Sequence, residues 1–459
     1  MTPAARLAAT VALLSAMEDQ PRRPADAVAN EFFRARRYIG SSDRRAVSER
    51  AWAVVRERLR LDWRLRKLGA EPTARLLVAA QMVLMGGGSL QGVVAAFSEQ
   101  GPYAEAPLDA EERRVLAALR PPLVRAEMPE NLRLNLPDWV MPGFQARFGD
   151  ALPAAAEAMA EAAPLDLRAN LLKTTRDGAL AALAAEGIPA TPTPFSPWGL
   201  RIADRRPILA SKAFRDGLVE IQDEGSQLIA LLADARPGMR VADYCAGAAG
   251  KTLAMAASMN NRGRITACDV SAPRLTGAAQ RLRRAGVDNA ETHLLEAGDR
   301  WAKRRAAQFD RVLVDAPCTG TGTWRRNPDA RIRTGEFDLN ELVTKQRAIL
   351  DRAASLVRPG GKLVYATCSV LPEEDEAQVQ NLLERRPEFR VVPLQEAWKQ
   401  SLAALGSVVD TAPGEGDFMA LAPHSHGTDG FFCAVLERTE VAVPRSDTTT
   451  RASSDPAVT

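Results

Sequence analysis

Five short apolar runs recur between residues 239 and 368: MRVADY, GRITACD, ETHLLEA, DRVLVDA and KLVYATC, separated by helical patterns. This alternation constrains the chain more than any other feature. Strands divided by helices long enough to cross over build a parallel sheet with helices on its faces. In such a sheet the carboxyl ends of the strands share one edge, and open α/β sheets bind ligands there. A late run, DGFFCAVLERT, reads as a further strand, antiparallel at the sheet edge.

The other segments differ in texture. Residues 1–130 read as helical, with apolar positions recurring every three and four residues, as in AVSERAWAVVRERL, and with Pro121 and Pro122 punctuating the end. Residues 131–235 read as a helical connector, LPDWVMPGFQARFGDALPAAAEAMAEA, followed by a small α+β unit whose strand DLRANLLKT precedes the helix TRDGALAALAAEGI. Residues 236–437 hold the alternating sheet. The polar segment 438–459 lacks aromatics and periodicity and is expected to be a disordered tail. The expected fold is therefore multidomain: an all-α N-terminal domain, a small α+β domain and a Rossmann-like α/β domain.

Charge is informative in its distribution. Residues 1–70 carry fifteen Lys/Arg against eight Asp/Glu, although the whole chain is only +3. Two readings of this basic stripe stand open: a solvated helical face, or a surface that contacts phosphates of a nucleic acid. No window is apolar enough to span a membrane. The first twenty residues continue as an amphipathic helix and read as mature protein. The five cysteines, Cys245, Cys268, Cys318, Cys368 and Cys433, are odd in number and have no zinc spacing, so free thiols in a reducing cytoplasm are expected, and no metal.

The stretch VADYCAGAAGKTLAMAA is a strand, a small-residue loop and a helix. Cys245, Ala246, Gly247, Ala248, Ala249 and Gly250 would let a ligand approach the backbone, and the helix starting near Lys251 offers free N–H groups. Such a loop can also merely close a tight turn. Asp269, nineteen residues beyond Gly250, ends the second strand, where a carboxylate can accept ribose hydroxyls; Asp299 is expected at the end of the third, within reach of an adenine. The loop is not G-x-G-x-x-G, which favours S-adenosylmethionine over a dinucleotide and disfavours a nicotinamide dehydrogenase.

Two cysteines close strands on that same edge: Cys318 in DAPCTGTG and Cys368 in YATCS. Each alone could be a small buried hydrophobe. With DYCAGAAGKT, DVSAPRL, DAPCTGTGTWRRNPD, YATCSVLPEEDE, DGFFCA and the upstream EIQDEGSQ, the chain resembles RNA cytosine-C5 methyltransferases of the RsmB/Sun type. The helical N-terminal region is similar to the NusB-like RNA-binding domain of the bacterial ribosomal members. One departure stands out. The family's cofactor loop usually reads Ala-Ala-Pro-Gly-Gly-Lys, whereas here it is Ala246-Gly247-Ala248-Ala249-Gly250-Lys251.

The resemblance implies a class I Rossmann-like methyltransferase domain that uses S-adenosylmethionine. It implies Cys368 as the nucleophile on cytosine C6 and Cys318 as the group that assists release. Asp315 would hydrogen-bond the cytosine edge, or serve only as a cap or turn residue; Lys251 would stay beside the base or its phosphate, or be a solvent-facing charge at the helix start; and Arg274 would steady the methionine carboxylate. Trp324, Arg325 and Arg326 are candidates for a phosphate or base, or for a solvated loop. None of the three histidines, His293, His424 and His426, lies in these motifs, so cysteines or carboxylates must move the protons. The expected substrate is 16S-type ribosomal RNA, with transfer RNA and a non-catalytic ribosome assembly factor as alternatives; a cytoplasmic monomer without membrane contact is expected.

Overall fold

The computed structural model describes residues 1–202, 207–403 and 411–439. Seven helices between Pro3 and Ala118 form the N-terminal bundle. The first begins where Thr2 accepts a hydrogen bond from the Ala5 amide and Pro3 occupies the first turn, as local chemistry requires of a helix start. The apolar stripes of these helices meet in a core of their own, built on Leu13, Leu14, Val47, Val54, Leu61, Leu77, Val78 and Phe97. The connector follows as helices Met141–Phe148 and Leu152–Ala160.

A small antiparallel sheet comes next, with strands β1 (Leu165–Ala169), β2 (Thr191–Pro192), β3 (Gly199–Ile202) and β4 (Val219–Ile221) in the order β2-β3-β1-β4. The large sheet holds β5 (Arg240–Asp243), β6 (Arg264–Asp269), β7 (Ala290–Leu294), β8 (Phe309–Asp315), β9 (Val357–Thr367), β10 (Phe389–Val391), β11 (Met419–Leu421) and β12 (Phe431–Arg438). Its order is β10-β12-β9-β8-β5-β6-β7, with β11 paired to β12. Strands β5 to β9 run parallel. The chain reverses direction across the sheet between β5 and β8, and a crevice opens there beyond the carboxyl ends.

Three expectations need correction. The late strand β12 is not at the edge: it lies antiparallel between β9 and β10, because the short run Phe389–Val391 supplies one more strand outside it. The expected tail begins too early, since β12 runs to Arg438 and Thr439 donates to the Glu388 carbonyl; residues 440–459 lie outside the described residues. Finally, Trp324, Arg325 and Arg326, expected either to meet a phosphate or base or to form a solvated loop, are engaged inside the protein. Trp324 is fully buried and stacks on Phe144 at 5.5 Å. Arg325 and Arg326 both donate to the buried Asp429, and Arg326 also binds Asp223 at 2.7 Å and the Pro164 carbonyl at 3.0 Å. The sequence shows the arginines but not the acids some hundred residues away.

These contacts tie the parts together. The connector core, with Phe144, Leu152 and Met159, includes Trp324, Val370 and Leu371 of the large sheet's loops. A single core crosses residue 235, joining Leu167 and Leu200 of the small sheet to Val241, Leu313 and Val364 of the large one. From the N-terminal bundle, Arg56 donates to the carbonyls of Ala160, Glu161 and Arg325. The basic stripe therefore has two populations. Arg56, Arg58, Arg60 and Arg64 are engaged with carbonyls or carboxylates, whereas Arg34, Arg37 and Arg45 are exposed. Among the described residues no helix is long and apolar enough to cross a membrane.

Asp429→Ala would leave the Arg325 guanidinium buried and short of its main partner. We expect a loss of about 3 kcal/mol in folding stability, read from the shift of the urea midpoint followed by tryptophan fluorescence; a shift within experimental error would show that Asp223 alone neutralises both arginines.

Candidate active site

The strand ends deliver the site. Asp243 ends β5, Asp269 ends β6, Asp315 ends β8, and Cys368 follows β9 by one residue. All four line one cavity of about 1520 Å³ with Cys318, Lys251 and the loop Cys245–Ala248. That volume exceeds what a single drug-sized ligand fills, so there is room for a cofactor and a second group.

The two thiols meet. Cys318 Sγ lies 3.3 Å from Cys368 Sγ, and both residues are half-buried. Their loops are stitched to each other: Gly322 N donates to the Cys368 carbonyl at 3.0 Å, Thr321 and Ser369 share a hydroxyl contact at 3.0 Å, and Val370 N donates to Thr321 Oγ1. The Cys318 thiol is pushed well above the ordinary range, first by its hydrogen bond with Cys368, then by burial, and further by the charges of Cys368 and Glu374.

Lys251 is buried and holds Asp315 Oδ2 at 2.7 Å. Burial opposes its charge, but the charges on Asp315, Asp243 and Cys368, together with the Asp315 hydrogen bond, outweigh it and raise its pKa above the usual range. The ammonium thus stands near Cys368, while the Glu374 carboxylate stands near Cys318. Negative charge on the sulfur pair is better placed on Cys368.

On the cofactor side, Asp269 accepts from Gly247 N at 2.9 Å and Ser271 N at 2.8 Å. A carboxylate has about four acceptor positions, so capacity remains on the cavity side for two hydroxyls. Gly247 adopts φ +54° with open space where a side chain would stand, which lets a ligand reach the backbone. Asp243 is fully buried, its Oδ2 bound by Thr252 at 2.7 Å and its Oδ1 without a partner. Burial pushes this carboxyl up to about 7. An orphaned buried acceptor on the cavity wall suits a cofactor that carries ammonium and sulfonium charge. These residues fit S-adenosylmethionine.

Several expected members differ in detail. Arg274 is exposed at the cavity rim. Asp299 lines the cavity but does not end β7, which stops at Leu294; it sits in the following turn, held by His293 Nε2 at 2.6 Å and Trp301 N at 2.8 Å. The run ETHLLEAGD stops as a strand at Leu294, where the consecutive Leu294 and Leu295 break its alternation, and a turn follows at Ala297–Gly298. Ala249 is also corrected: it is fully buried, does not line the cavity and takes a left-handed backbone, φ +62°, ahead of helix Gly250–Ser258. Sequence reasoning missed Asp243, Gln346, Glu374 and Asp375. The only available signal was the position of LPEEDE directly after YATCSV.

Comparison with known proteins places this geometry. Residues 230–437 match the family model of 16S rRNA methyltransferase RsmB/F, and residues 136–209 match that of the ferredoxin-like domain of RsmF/B-like methyltransferases. The probable ribosomal RNA small subunit methyltransferase B of Synechocystis sp. is 32% identical over 306 residues, covering 66% of this chain and 67% of that protein. Ribosomal RNA small subunit methyltransferase B of Salmonella paratyphi B is 29% identical over 368 residues, covering 76% and 84%. The crystal structure of PH0851 superposes with a TM-score of 0.76 over 95% of this chain and 99% of that one, at 25% identity.

The left-handed Ala249 stands where such loops usually carry glycine. For a residue with a Cβ this conformation costs about 1–2 kcal/mol, against about 0.5–1 kcal/mol of extra chain entropy lost by glycine on folding. Ala249→Gly should therefore stabilise the protein by roughly 0.5–1 kcal/mol, measured as a raised denaturation midpoint; a lowered midpoint would mean that the buried methyl group matters more than the backbone strain.

Proposed function

The chain belongs to the RsmB/F family of RNA methyltransferases, which use S-adenosylmethionine, and we propose that it methylates C5 of a cytosine in small-subunit ribosomal RNA through a covalent Cys368–C6 intermediate. The observation that carries this reading is the 3.3 Å approach of two thiols at the carboxyl ends of adjacent strands. A methyltransferase acting on a nucleophilic nitrogen or oxygen has no use for such a pair. C5 of cytosine is a poor nucleophile, and a thiolate added at C6 makes the ring enamine-like.

In this reading Cys368 attacks as a thiolate, favoured by the nearby Lys251 ammonium. The new S–C6 bond takes the thiolate pair, and the C5=C6 π pair moves into the ring toward N3 and O2. Asp315, held by Lys251, is placed to accept from the cytosine N4 amino group, and the Lys251 ammonium is the fixed positive charge beside the ring as negative charge develops on it. S-adenosylmethionine, when bound, would supply an electrophilic methyl group for C5; Asp269, Gly247, Asp243 and Arg274 would hold it, and Asp299, on the same cavity wall, would be available to its adenine. Release needs a base. Cys318, having lost its own proton to solvent, takes the C5 proton; that C–H pair reforms C5=C6, and the S–C6 pair returns to Cys368. The net products are methylated RNA, the demethylated cofactor and one proton.

A base inside a duplex cannot reach Cys368, so the target is flipped or single-stranded. A groove of about 1220 Å³ runs between the N-terminal bundle and the rest of the molecule, lined by Arg34, Arg37, Arg44, Arg45 and Trp52 opposite Arg326. Tyr38, beside Arg37, is exposed and stacks on the exposed Tyr103 at 6.4 Å. The exposed Arg34, Arg37 and Arg45 beside exposed aromatic faces suit an RNA strand, and we take the N-terminal bundle as the NusB-like RNA-holding domain.

Two experiments test this reading. With cofactor and total RNA, Cys318→Ala should accumulate a protein–RNA adduct that survives denaturing electrophoresis, while Cys368→Ala should give neither adduct nor 5-methylcytosine. An adduct from Cys368→Ala would reverse the roles; no adduct from either would remove the covalent mechanism and favour an assembly factor, and bisulfite sequencing of the methylated RNA separates ribosomal from transfer RNA. Replacing Arg34, Arg37 and Arg45 together by Gln should weaken RNA binding and reduce the salt slope by about 2, for three lost phosphate contacts, with S-adenosylmethionine affinity unchanged. An unaltered slope would leave these arginines as a solvated face.

A further inference from the structure

The acidic run after Cys368 carries two adjacent carboxylates that are fully buried, Glu374 and Asp375. Neither lines the cavity, and the mechanism above uses neither. Each nevertheless reaches a different cysteine loop. Glu374 accepts Thr319 N at 2.9 Å through one oxygen and Thr319 Oγ1 at 2.5 Å through the other, gripping the residue after Cys318 at both its amide and its hydroxyl. Gln346 completes this grip: its amide nitrogen donates to Glu374 at 3.0 Å and to the Pro317 carbonyl at 3.0 Å, on the other side of Cys318. Asp375 turns the opposite way and accepts Thr367 Oγ1 at 2.6 Å, the residue before Cys368.

Both carboxylates are anchored in turn. Tyr365 donates its hydroxyl to the Glu374 carbonyl at 2.5 Å. Arg147, from the connector helix, binds Asp375 at 2.9 Å, Glu376 at 2.6 Å and the Val370 carbonyl at 3.1 Å. The same helix approaches so closely that a Cβ on Gly143 would stand 2.7 Å from Leu371. Placing two carboxylates in the interior is unfavourable unless they are fully satisfied. Here Thr319 and Thr367, which flank the two thiols, supply part of that satisfaction, and Gln346 and Arg147 complete it.

We infer that Glu374 and Asp375 are positioning residues of separate function: Glu374, with Gln346, sets Cys318 for proton removal, and Asp375, through Thr367 and backed by Arg147, sets Cys368 for attack. This rests on the covalent reading above. Loss of one arm frees one thiol from its place while leaving the other held. The Glu374 charge, close to Cys318, also adds to the basicity of that sulfur, which is the property that proton abstraction needs.

The test compares Glu374→Gln, Asp375→Asn and Cys318→Ala in the full-length protein, with S-adenosylmethionine and undermethylated total RNA. Two quantities are read: methyl groups transferred in the first turnover, and adduct surviving denaturing electrophoresis. Glu374→Gln should keep first-turnover transfer and raise the adduct about tenfold or more, the scale of one lost charge-assisted hydrogen bond. Asp375→Asn should lower first-turnover transfer by a similar factor and form little adduct. Neighbouring buried acids that served only stability would fail alike, so matching patterns from the two variants would overturn the inference. So would the absence of adduct in Glu374→Gln when Cys318→Ala traps RNA. If Cys318→Ala itself traps none, the covalent reading is what has failed. Calorimetric cofactor binding reports whether each variant is folded; if Glu374→Gln is not, Thr319→Val removes one arm alone, and its adduct must exceed that of the unaltered protein for the inference to stand.

Discussion

Two sulfur atoms 3.3 Å apart in a half-buried cleft cannot comfortably hold two negative charges. That constraint organises the surroundings of the pair. While one sulfur carries a charge, the other keeps its proton. The cleft breaks the symmetry with fixed charges: the Lys251 ammonium on the Cys368 side and the Glu374 carboxylate on the Cys318 side. Lys251 is itself held by Asp315 at the end of β8. The ends of β5, β8 and β9 therefore act as a single electrostatic unit, which is why the crevice at the reversal of strand order, and not another edge of the sheet, is where this chemistry gathers.

The same logic explains the number of buried charges elsewhere. Arg325 and Arg326 lie just beyond the Cys318 loop, and Asp223 and Asp429 come from the small domain's end and from the segment before β12. A buried pair of this kind is a weak source of stability but a strong one of register when all its members are satisfied. Arg56 of the N-terminal bundle then binds the Arg325 carbonyl. The bundle is linked by this route to the loop that carries Cys318.

The alternating sheet was legible because strand and helix periods are local properties of the chain. So were the ends of β5, β6, β8 and β9, and with them Asp269, Asp315, Cys318 and Cys368. What escaped was set by partners distant in sequence. The place of β12 inside the sheet depends on a three-residue strand, Phe389–Val391, too short to signal itself. TWRRNPD reads as a phosphate- or base-contacting segment or as a solvated loop, because its partners Asp223 and Asp429 stand about a hundred positions away. LPEEDE carries no local sign of its burial, because acidic residues are usually exposed. Its burial depends on Thr319 and Gln346, which no local pattern connects to it.

The cofactor loop shows how a departure in sequence can leave geometry intact. Alanine at position 249 accepts a left-handed backbone only if its surroundings over-determine that conformation. They do so from three directions. Asp269 holds the Gly247 amide, the Cys268 carbonyl holds the Ala246 amide, and Arg281 holds the Ala248 carbonyl at 2.7 Å. Arg281 is fixed in turn by Glu220 of β4, which also binds Arg284 at 2.5 Å. A strand of the small antiparallel sheet thereby braces the loop from outside the large one. The two sheets share a core as well as this brace, so the small sheet is part of the cofactor site's framework, and strain at Ala249 is borne by both.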